Sequence, residues 1–118
     1  AVSATGGVLL LRRRARHVVT ENERVRHFAS AIAAGDVTTA GALMQDSHRS
    51  LSTDFESSIA SIDALCEELW RRAGVLGARI TGGGWGGAVV VLSRPDSLDG
   101  FPGAIPVTPS AGASVRSP

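Results

Sequence analysis

The glycine-rich stretch GARITGGGWGGAVVVL, residues 77–92, is the part of the sequence whose composition could do chemistry. Backbone N–H groups in such a loop can point one way and contact phosphate, because no side chains hold the ligand off. Gly82, Gly84 and Gly87 satisfy the G-x-G-x-x-G spacing of dinucleotide-binding loops, but a predicted strand follows where that fold needs a helix. No lysine follows the glycines, which excludes a Walker A loop. A hairpin turn therefore remains, either contacting phosphate or without a ligand.

The other reactive side chains form no convincing catalytic set. His17, His27 and His48 share no metal-ligand spacing, so structural hydrogen bonds are their expected role. Cys66 lies in an apolar helical stripe, which favours a buried thiol over a nucleophile. The acidic residues form no convincing catalytic set either. We therefore assign no catalytic base and no metal ligand in this chain.

Composition narrows the classes of partner. The chain has 118 residues, 43% of them hydrophobic, and a formal charge of +1, so it holds no bulk attraction for nucleic acid or membranes. All twelve basic residues are arginines, which excludes a lysine nucleophile. The cluster RRRAR, Arg12–Arg16, could bind nucleic acid, but intramolecular pairing or solvation is favoured. A single cysteine and the lack of about 18 consecutive apolar residues fit a cytoplasmic protein.

A succession of helices is expected to position the glycine loop. His17–Thr20 predicts a short strand running into a helix, with Thr20 and Glu23 spaced as a capping box. Gly35 is expected to end this helix, and Asp36 to cap the next. The apolar stripes are Val25, Phe28, Ala29 and Ile32 in the first helix, Val37, Ala40, Leu43, Met44 and Leu51 in the second, and Ile62, Leu65, Cys66 and Leu69 in the third.

The third helix is predicted over Ala60–Ala73, with Gly74 as its C-terminal stop. The segment GARIT then predicts a strand, and AVVVL predicts a strand at the centre of a sheet, because it is rich in β-branched residues. Residues 93–104 predict a loop, and residues 105–115 one last short strand. Helices followed by a few neighbouring strands indicate an α+β fold.

Four stretches, in order along the chain, carry a family resemblance. The glycine stretch over residues 77–92 resembles the third motif of the GHMP kinases. Residues 13–25, RRARHVVTENERV, and 43–58, LMQDSHRSLSTDFESS, resemble segments of the galactokinase family within that superfamily. Residues 107–115, VTPSAGASV, are similar to the closing P-S-x-GA of that family. The two middle stretches distinguish galactokinases from other GHMP kinases.

The chain also departs from the family pattern. Ser52 and Thr53 replace the usual Arg-Asp, and Ala60 and Ser61 stand where a Pro-Glu pair is common. The loop 93–104 is shorter than the helical insertion usual in the family. Nothing in the chain resembles the family's sugar-binding motif or its serine-rich phosphate loop, both of which belong to an N-terminal half.

The resemblance implies a fold and a site. The fold is a ferredoxin-like GHMP C-terminal domain over residues 12–116, an antiparallel sheet backed by helices, with residues 1–11 as an unassigned lead. The catalytic aspartate and arginine and the magnesium ligands of the family lie in the N-terminal domain. Trp85 is expected to pack under the glycine loop. The residues carried over as support for the nucleotide phosphates are Thr81, Gly82, Gly83, Gly84, Trp85, Gly86 and Gly87.

The implied function is that of a galactokinase portion, which needs ATP and Mg²⁺ to phosphorylate galactose at O1 and is inactive as this isolated chain. The implied partners are galactose, ATP and the N-terminal GHMP domain, with no nucleic acid or membrane. Two alternatives stay open. One is a non-catalytic galactokinase-like module for binding or sensing; the other is a different GHMP kinase, such as a mevalonate or homoserine kinase relative.

Overall fold

The computed structural model describes residues 4–118, which form helices followed by one antiparallel hairpin. The predicted α+β fold is confirmed. The helices are α1, Ala4–Ala33; α2, Val37–Ser50; a π-helical turn, Leu51–Phe55; and α3, Ala60–Arg71. The strands are β1, Val75–Thr81, and β2, Ala88–Ser93. Within the described part of the chain, no helix is both long and apolar enough to cross a membrane.

Helix α1 runs through the region where the sequence predicted a strand and a helix start. Both predictions are wrong: His17–Thr20 is helical, and Thr20 caps nothing. Its hydroxyl donates to the Arg16 carbonyl at 2.8 Å, one turn back within the same helix. Glu23 pairs with Arg26 instead of reaching back to residue 20. The described part of the 1–11 lead, residues 4–11, belongs to the same helix.

Contacts with the rest of the molecule explain why α1 continues as a helix. His17, Glu21 and Arg24 follow one another at helical spacing, so they share one face. His17 is hydrogen-bonded to Ser50, and Glu21 accepts from Ser47, both on α2. A strand would place Glu21 and Arg24 on opposite faces, whereas the helix keeps all three on the face that meets α2. Tertiary contacts therefore override the β preference of the two valines.

The turn between α1 and α2 follows the predicted signals. Gly35 adopts a φ of +71°, a left-handed conformation that stops α1 just beyond Ala33. The Asp36 carboxylate accepts a hydrogen bond from the Thr39 N–H at 3.0 Å and caps α2. The pKa of Asp36 is lowered, chiefly by hydrogen bonding to Thr39.

The core lies between α3 and one face of the hairpin. Ile62, Cys66 and Ile80 are buried together, with Val89 packed against them. The third helix begins at Ala60 as predicted and ends at Arg71, two residues before the predicted end. The predicted stripe is confirmed in its buried members, Ile62, Cys66 and Leu69.

Within the described residues the sheet has two strands, so the prediction of β2 as a central strand is wrong. The strands pair antiparallel, with Ile80 opposite Val89 and Arg79 opposite Val90. The predicted last strand within residues 105–115 is also wrong, since the segment is exposed and has no regular structure. Pro106 and Pro109 lack N–H donors, which weakens any continuous ladder there. The loop prediction is confirmed for residues 94–104.

Candidate functional site

The glycine loop connects β1 to β2 as a wide hairpin turn. Gly82, Gly84, Gly86 and Gly87 have φ values of +77°, +93°, +132° and +85°. These conformations are accessible to glycine at little cost, whereas most other residues are strained in them. Thr81, the last residue of β1, is exposed beside them. The sequence therefore contains glycine at these four positions because the path of the loop requires it.

The backbone carbonyl of Ser57 contacts the loop and fixes its position. The Trp85 N–H donates to the Ser57 carbonyl at 2.6 Å. A Cβ atom at Gly84 would lie 2.4 Å from the same carbonyl oxygen, which is impossible without a shift of backbone. Glycine at 84 thus permits a direct backbone contact between the loop and the segment after the π-helical turn. This anchor was not predicted, because no residue pattern links Ser57 to Gly84, 27 positions further along the chain.

Trp85 does not pack under the loop, and that prediction is wrong. Its side chain is 68% exposed, and its backbone has a φ of +56°. The Ser57 carbonyl occupies the position beneath Gly84 and the Trp85 amide, which leaves the indole outside. A large apolar ring at the rim of a glycine loop is therefore available to a partner.

Gly83 differs from its neighbours. A Cβ atom there would meet nothing within 4 Å, and its φ lies outside the left-handed region. Neither packing nor backbone conformation within this chain therefore requires glycine at position 83. A Cβ atom at Gly82 or Gly87 would also meet nothing within 4 Å, but the positive φ values of these two residues still favour glycine. The open rim consists of positions 82, 83 and 87, where a partner could approach the backbone closely.

His48 fixes the strand that leads into the loop. Its Nδ1 accepts a hydrogen bond from the Ile80 N–H at 3.1 Å, which assigns the proton to Nε2. Nε2 then donates to Asp63 Oδ1 at 2.9 Å. The ring meets Trp70 edge-on, with centroids 5.8 Å apart. One buried imidazole thereby joins α2 to both α3 and β1, which confirms the structural role predicted for it.

Asp63 is kept ionised by this arrangement. Burial raises the pKa of its carboxyl, but hydrogen bonds from neighbouring hydroxyls, including Ser52 at 2.8 Å, and from His48 outweigh burial and lower the pKa. Asp63 was not predicted as the partner of His48, because the two residues are 15 positions apart and lie on different helices.

The other two histidines and the cysteine differ in burial. His17 is buried and hydrogen-bonded to Ser50 at 2.9 Å, with burial as the main cause of its lowered pKa. His27 is exposed. Cys66 is buried as expected, and burial raises the pKa of its thiol to about 11. Such a thiol is protonated at neutral pH and is a poor nucleophile.

The arginine cluster is largely paired within the chain, as the sequence analysis favoured. Arg13 and Arg14 bond Glu56 at 3.0 and 2.8 Å, and Arg16 bonds Asp54 at 3.2 Å. These pairs tie α1 to the π-helical turn and its end. Among residues 4–118, no three His, Cys, Asp or Glu side chains are grouped to hold a metal ion.

The comparisons with known proteins agree with this architecture. Residues 28–101 match the family described as GHMP kinases C terminal, which covers more than half of the chain. The chain therefore belongs to the GHMP kinase C-terminal family, and the predicted family resemblance is confirmed.

Within that family, the chain is similar to galactokinases. It is 54% identical over 84 residues to the galactokinase of Mycobacterium tuberculosis H37Rv, a match covering 71% of this chain and 23% of the relative. It is 44% identical over 102 residues to the galactokinase of Chloroflexus aggregans, covering 86% and 25%. The crystal structure of Lactococcus lactis galactokinase complexed with galactose superposes with a TM-score of 0.74 at 42% identity, covering 76% and 23%. The chain thus spans about a quarter of the relatives it matches.

Proposed function

We propose that this chain is the C-terminal part of a galactokinase, the enzyme that transfers the γ-phosphoryl group of ATP to O1 of galactose. The proposal rests on the similarity to galactokinases and on the family resemblance of the glycine loop. In it, residues 12–116 form the C-terminal domain, although the boundary at residue 12 remains a prediction. The other wall of the active cleft comes from the N-terminal domain. The cytoplasm, where ATP and free thiols coexist, is the compartment we propose.

The open space around Gly83 is the observation that supports a role for the loop in binding a partner. Nothing in the chain itself requires glycine there, so a requirement for glycine would come from a partner approaching the backbone. In a kinase, that partner is a nucleotide phosphate or the phosphate loop of the N-terminal domain. The stretch from Thr81 to Gly87 would therefore line the triphosphate pocket from the side facing that domain.

The residues of the loop fit a triphosphate in part. Backbone N–H groups and the Thr81 hydroxyl are suitable donors to phosphate oxygens, and no acidic side chain lies between residues 81 and 87 to repel them. ATP supplies the phosphoryl group when bound. The ligands of Mg²⁺ lie in the N-terminal domain in this proposal, as the family resemblance implies. Within residues 4–118, no three His, Cys, Asp or Glu side chains are grouped to hold a metal ion.

The chemical contribution of the loop is to position phosphate and stabilise charge. Phosphoryl transfer needs little covalent help from the protein, because charge spreads over the equatorial oxygens of a loose transition state. Fixed backbone dipoles stabilise such charge without reorganising during the reaction. The Ser57 anchor and the His48 contact with β1 supply that rigidity, since they connect the middle of the loop to the segment before α3 and the strand leading into it to α2.

An exposed apolar part of α1 supports the existence of a docking partner. Val8, Leu9, Leu11, Val18 and Val19 are each more than half exposed. So much apolar surface on one helix is typical of an interface. In this proposal the N-terminal domain covers part of it.

The test is a galactokinase assay on two proteins. The isolated chain is expected to give no turnover, because half of the cleft is missing. A chimera, in which residues 28–101 replace the matching segment of the Mycobacterium tuberculosis enzyme, is expected to phosphorylate galactose. Turnover by the isolated chain would contradict the predicted inactivity. A folded chimera that transfers no phosphate to galactose would contradict the proposed reaction.

A further inference from the structure

The arginine cluster of α1 contacts the backbone of the π-helical turn as well as acidic side chains. Arg13 donates to the Thr53 carbonyl, and Arg14 donates to the Asp54 carbonyl. These carbonyls lie near the C-terminal end of the turn, where the last carbonyls of a helix lack partners within the helix. The same two guanidinium groups pair with the Glu56 carboxylate at 3.0 and 2.8 Å. Two arginines of α1 therefore hold both the end of the turn and the residue that follows it.

Glu56 reverses the chain after the turn. Its φ of 58° and ψ of 38° lie in the left-handed region, which is uncommon for a residue with a Cβ atom. The N–H groups of Glu56 and Ser57 both bond to the Leu51 carbonyl, the latter at 3.0 Å, as at a helix that ends on a left-handed residue. The pKa of the Glu56 carboxyl is lowered, chiefly by the hydrogen bond from Arg14, so the ion pairs persist at neutral pH.

An aromatic contact also holds the turn against α1. The ring of Phe55, its last residue, packs against the His17 ring, with centroids 4.8 Å apart. The Arg14 guanidinium lies 5.9 Å from the centroid of the same Phe55 ring. A π-helical turn is rare in proteins and is often found at functional sites. Helix α1 is thus in contact with the side chains and the backbone of this unusual turn.

Ser57 connects the turn to the glycine loop. Its carbonyl accepts the Trp85 N–H at 2.6 Å and leaves no room for a Cβ atom at Gly84. Because peptide groups are rigid planes, a change in the backbone angles of Glu56 would redirect the peptide groups of Ser57 and move this carbonyl. The position of the loop therefore depends on the conformation of the residue that the arginines hold.

We propose that Arg13 and Arg14 are positioning residues for the glycine loop. They hold Glu56 and the end of the π-helical turn, and so fix where the Ser57 carbonyl meets the loop. They act through the backbone and not on a substrate. The link to the loop uses only contacts within this chain, whereas its catalytic consequence rests on the proposed galactokinase function, in which the loop lines the triphosphate pocket.

Amide hydrogen exchange in the 118-residue chain, followed by NMR, tests the link to the loop. In the variant Arg14→Gln, the Trp85 amide should exchange about tenfold faster, because charge-assisted bonds to a carboxylate and a carbonyl are lost. Its proton resonance should also move upfield as the bond to Ser57 lengthens. A role in stability alone would leave this native-state resonance in place. Unchanged exchange and an unchanged resonance of the Trp85 amide would overturn the proposal, whatever the loss of global stability.

Three further variants separate the ion pair from a general effect of charge. Glu56→Gln should speed exchange of the Trp85 amide about threefold, since half-exposed ion pairs contribute less than the bonds lost in Arg14→Gln. Arg14→Lys keeps the charge but cannot bond the carboxylate and the carbonyl together, so an intermediate rate is expected. The matched control is Arg26→Gln, which removes an ion pair with Glu23 inside α1 and should change neither readout. Faster exchange in this control would overturn the proposal.

A second chimera tests the catalytic consequence. In it, residues 12–116 replace the C-terminal domain of the Mycobacterium tuberculosis galactokinase. Arg14→Gln should lower kcat about tenfold and leave the KM for galactose unchanged, because only the phosphate side of the cleft is misplaced. An unchanged kcat in an active chimera would overturn this consequence. An unmodified chimera without turnover would contradict the proposed function alone, and the exchange at Trp85 would still decide whether the arginines position the loop.

Discussion

Two groups of glycines lie at the two ends of β1, and they serve different purposes. Gly77 packs against Gly41 of α2 so closely that a Cβ on Gly77 would lie 2.3 Å from the Gly41 carbonyl oxygen. At the other end, Gly82, Gly83 and Gly87 face open space. The first group permits a helix to touch a strand. The second leaves a backbone exposed for a partner, so glycine content alone cannot separate packing from function.

The largest effect is expected at the helix–strand contact. Gly77→Ala should lower the free energy of unfolding by about 3 kcal/mol, because two rigid backbones must separate to admit the methyl group. Urea denaturation measures this loss. Gly112→Ala, in the exposed tail with nothing within 4 Å, is the matched control and should leave stability unchanged. If Gly77→Ala left the free energy of unfolding unchanged, the two groups of glycines would not differ in how closely they are packed.

The next effect concerns the His48 imidazole, which bonds β1 at Ile80, close to the glycine loop. His48→Phe retains a ring of similar shape but leaves the buried Ile80 N–H and the Asp63 carboxylate without their partner. Destabilisation of about 2 kcal/mol is expected from the unsatisfied groups. The matched variant is His27→Phe, on the exposed surface of α1, for which thermal unfolding should show little change. Equal effects of the two substitutions would show that His48 does not fix β1.

A smaller effect should appear with pH. Burial lowers the pKa of His17 below its unfolded value of 6.5, so the unfolded state binds the proton more readily. Stability is therefore retained above pH 6.5 and lost as the pH falls below it. Denaturation midpoints between pH 7.5 and pH 5.5 would test this. The variant His17→Phe should flatten this slope, and an unchanged slope would exclude His17 as its cause.

The smallest effect on stability is expected at the open rim. Gly83→Ala should change the free energy of unfolding of the isolated chain by less than about 0.5 kcal/mol, since the added methyl meets nothing and the backbone is unstrained. Thermal denaturation of the Gly83→Ala variant, compared with that of the Gly112→Ala control, measures this change. Destabilisation comparable to that of Gly77→Ala would show that Gly83 is closely packed like Gly77 and does not face open space.

The sequence predicted the elements whose signals are local. Asp36 and Gly35 define the α1–α2 turn through capping and a left-handed backbone, and both act as predicted. The hairpin around the glycine loop is likewise as predicted. The strand at His17–Thr20 failed, because polar contacts to α2 at helical spacing outweigh the local β preference.

The candidate site was predictable only in its outline. The glycines mark the loop, but the exposed position of Trp85 depends on Ser57, whose carbonyl occupies the space beneath. The pairing of His48 with Asp63 and the Ile80 amide joins three elements that no sequence spacing connects. Long-range backbone contacts of this kind leave no pattern in a single sequence.

The most direct test of the central claim is the turnover of the galactokinase chimera carrying Gly83→Ala. A methyl group that blocks close approach of phosphate should lower kcat about 100-fold, as a misplacement of about 1 Å does, while the fold remains intact. The same chimera with Gly87→Ala reports the strain of a positive φ for comparison. An active Gly83→Ala chimera with unchanged kcat and unchanged KM for ATP would contradict the account, because the open rim would then face no partner during phosphoryl transfer.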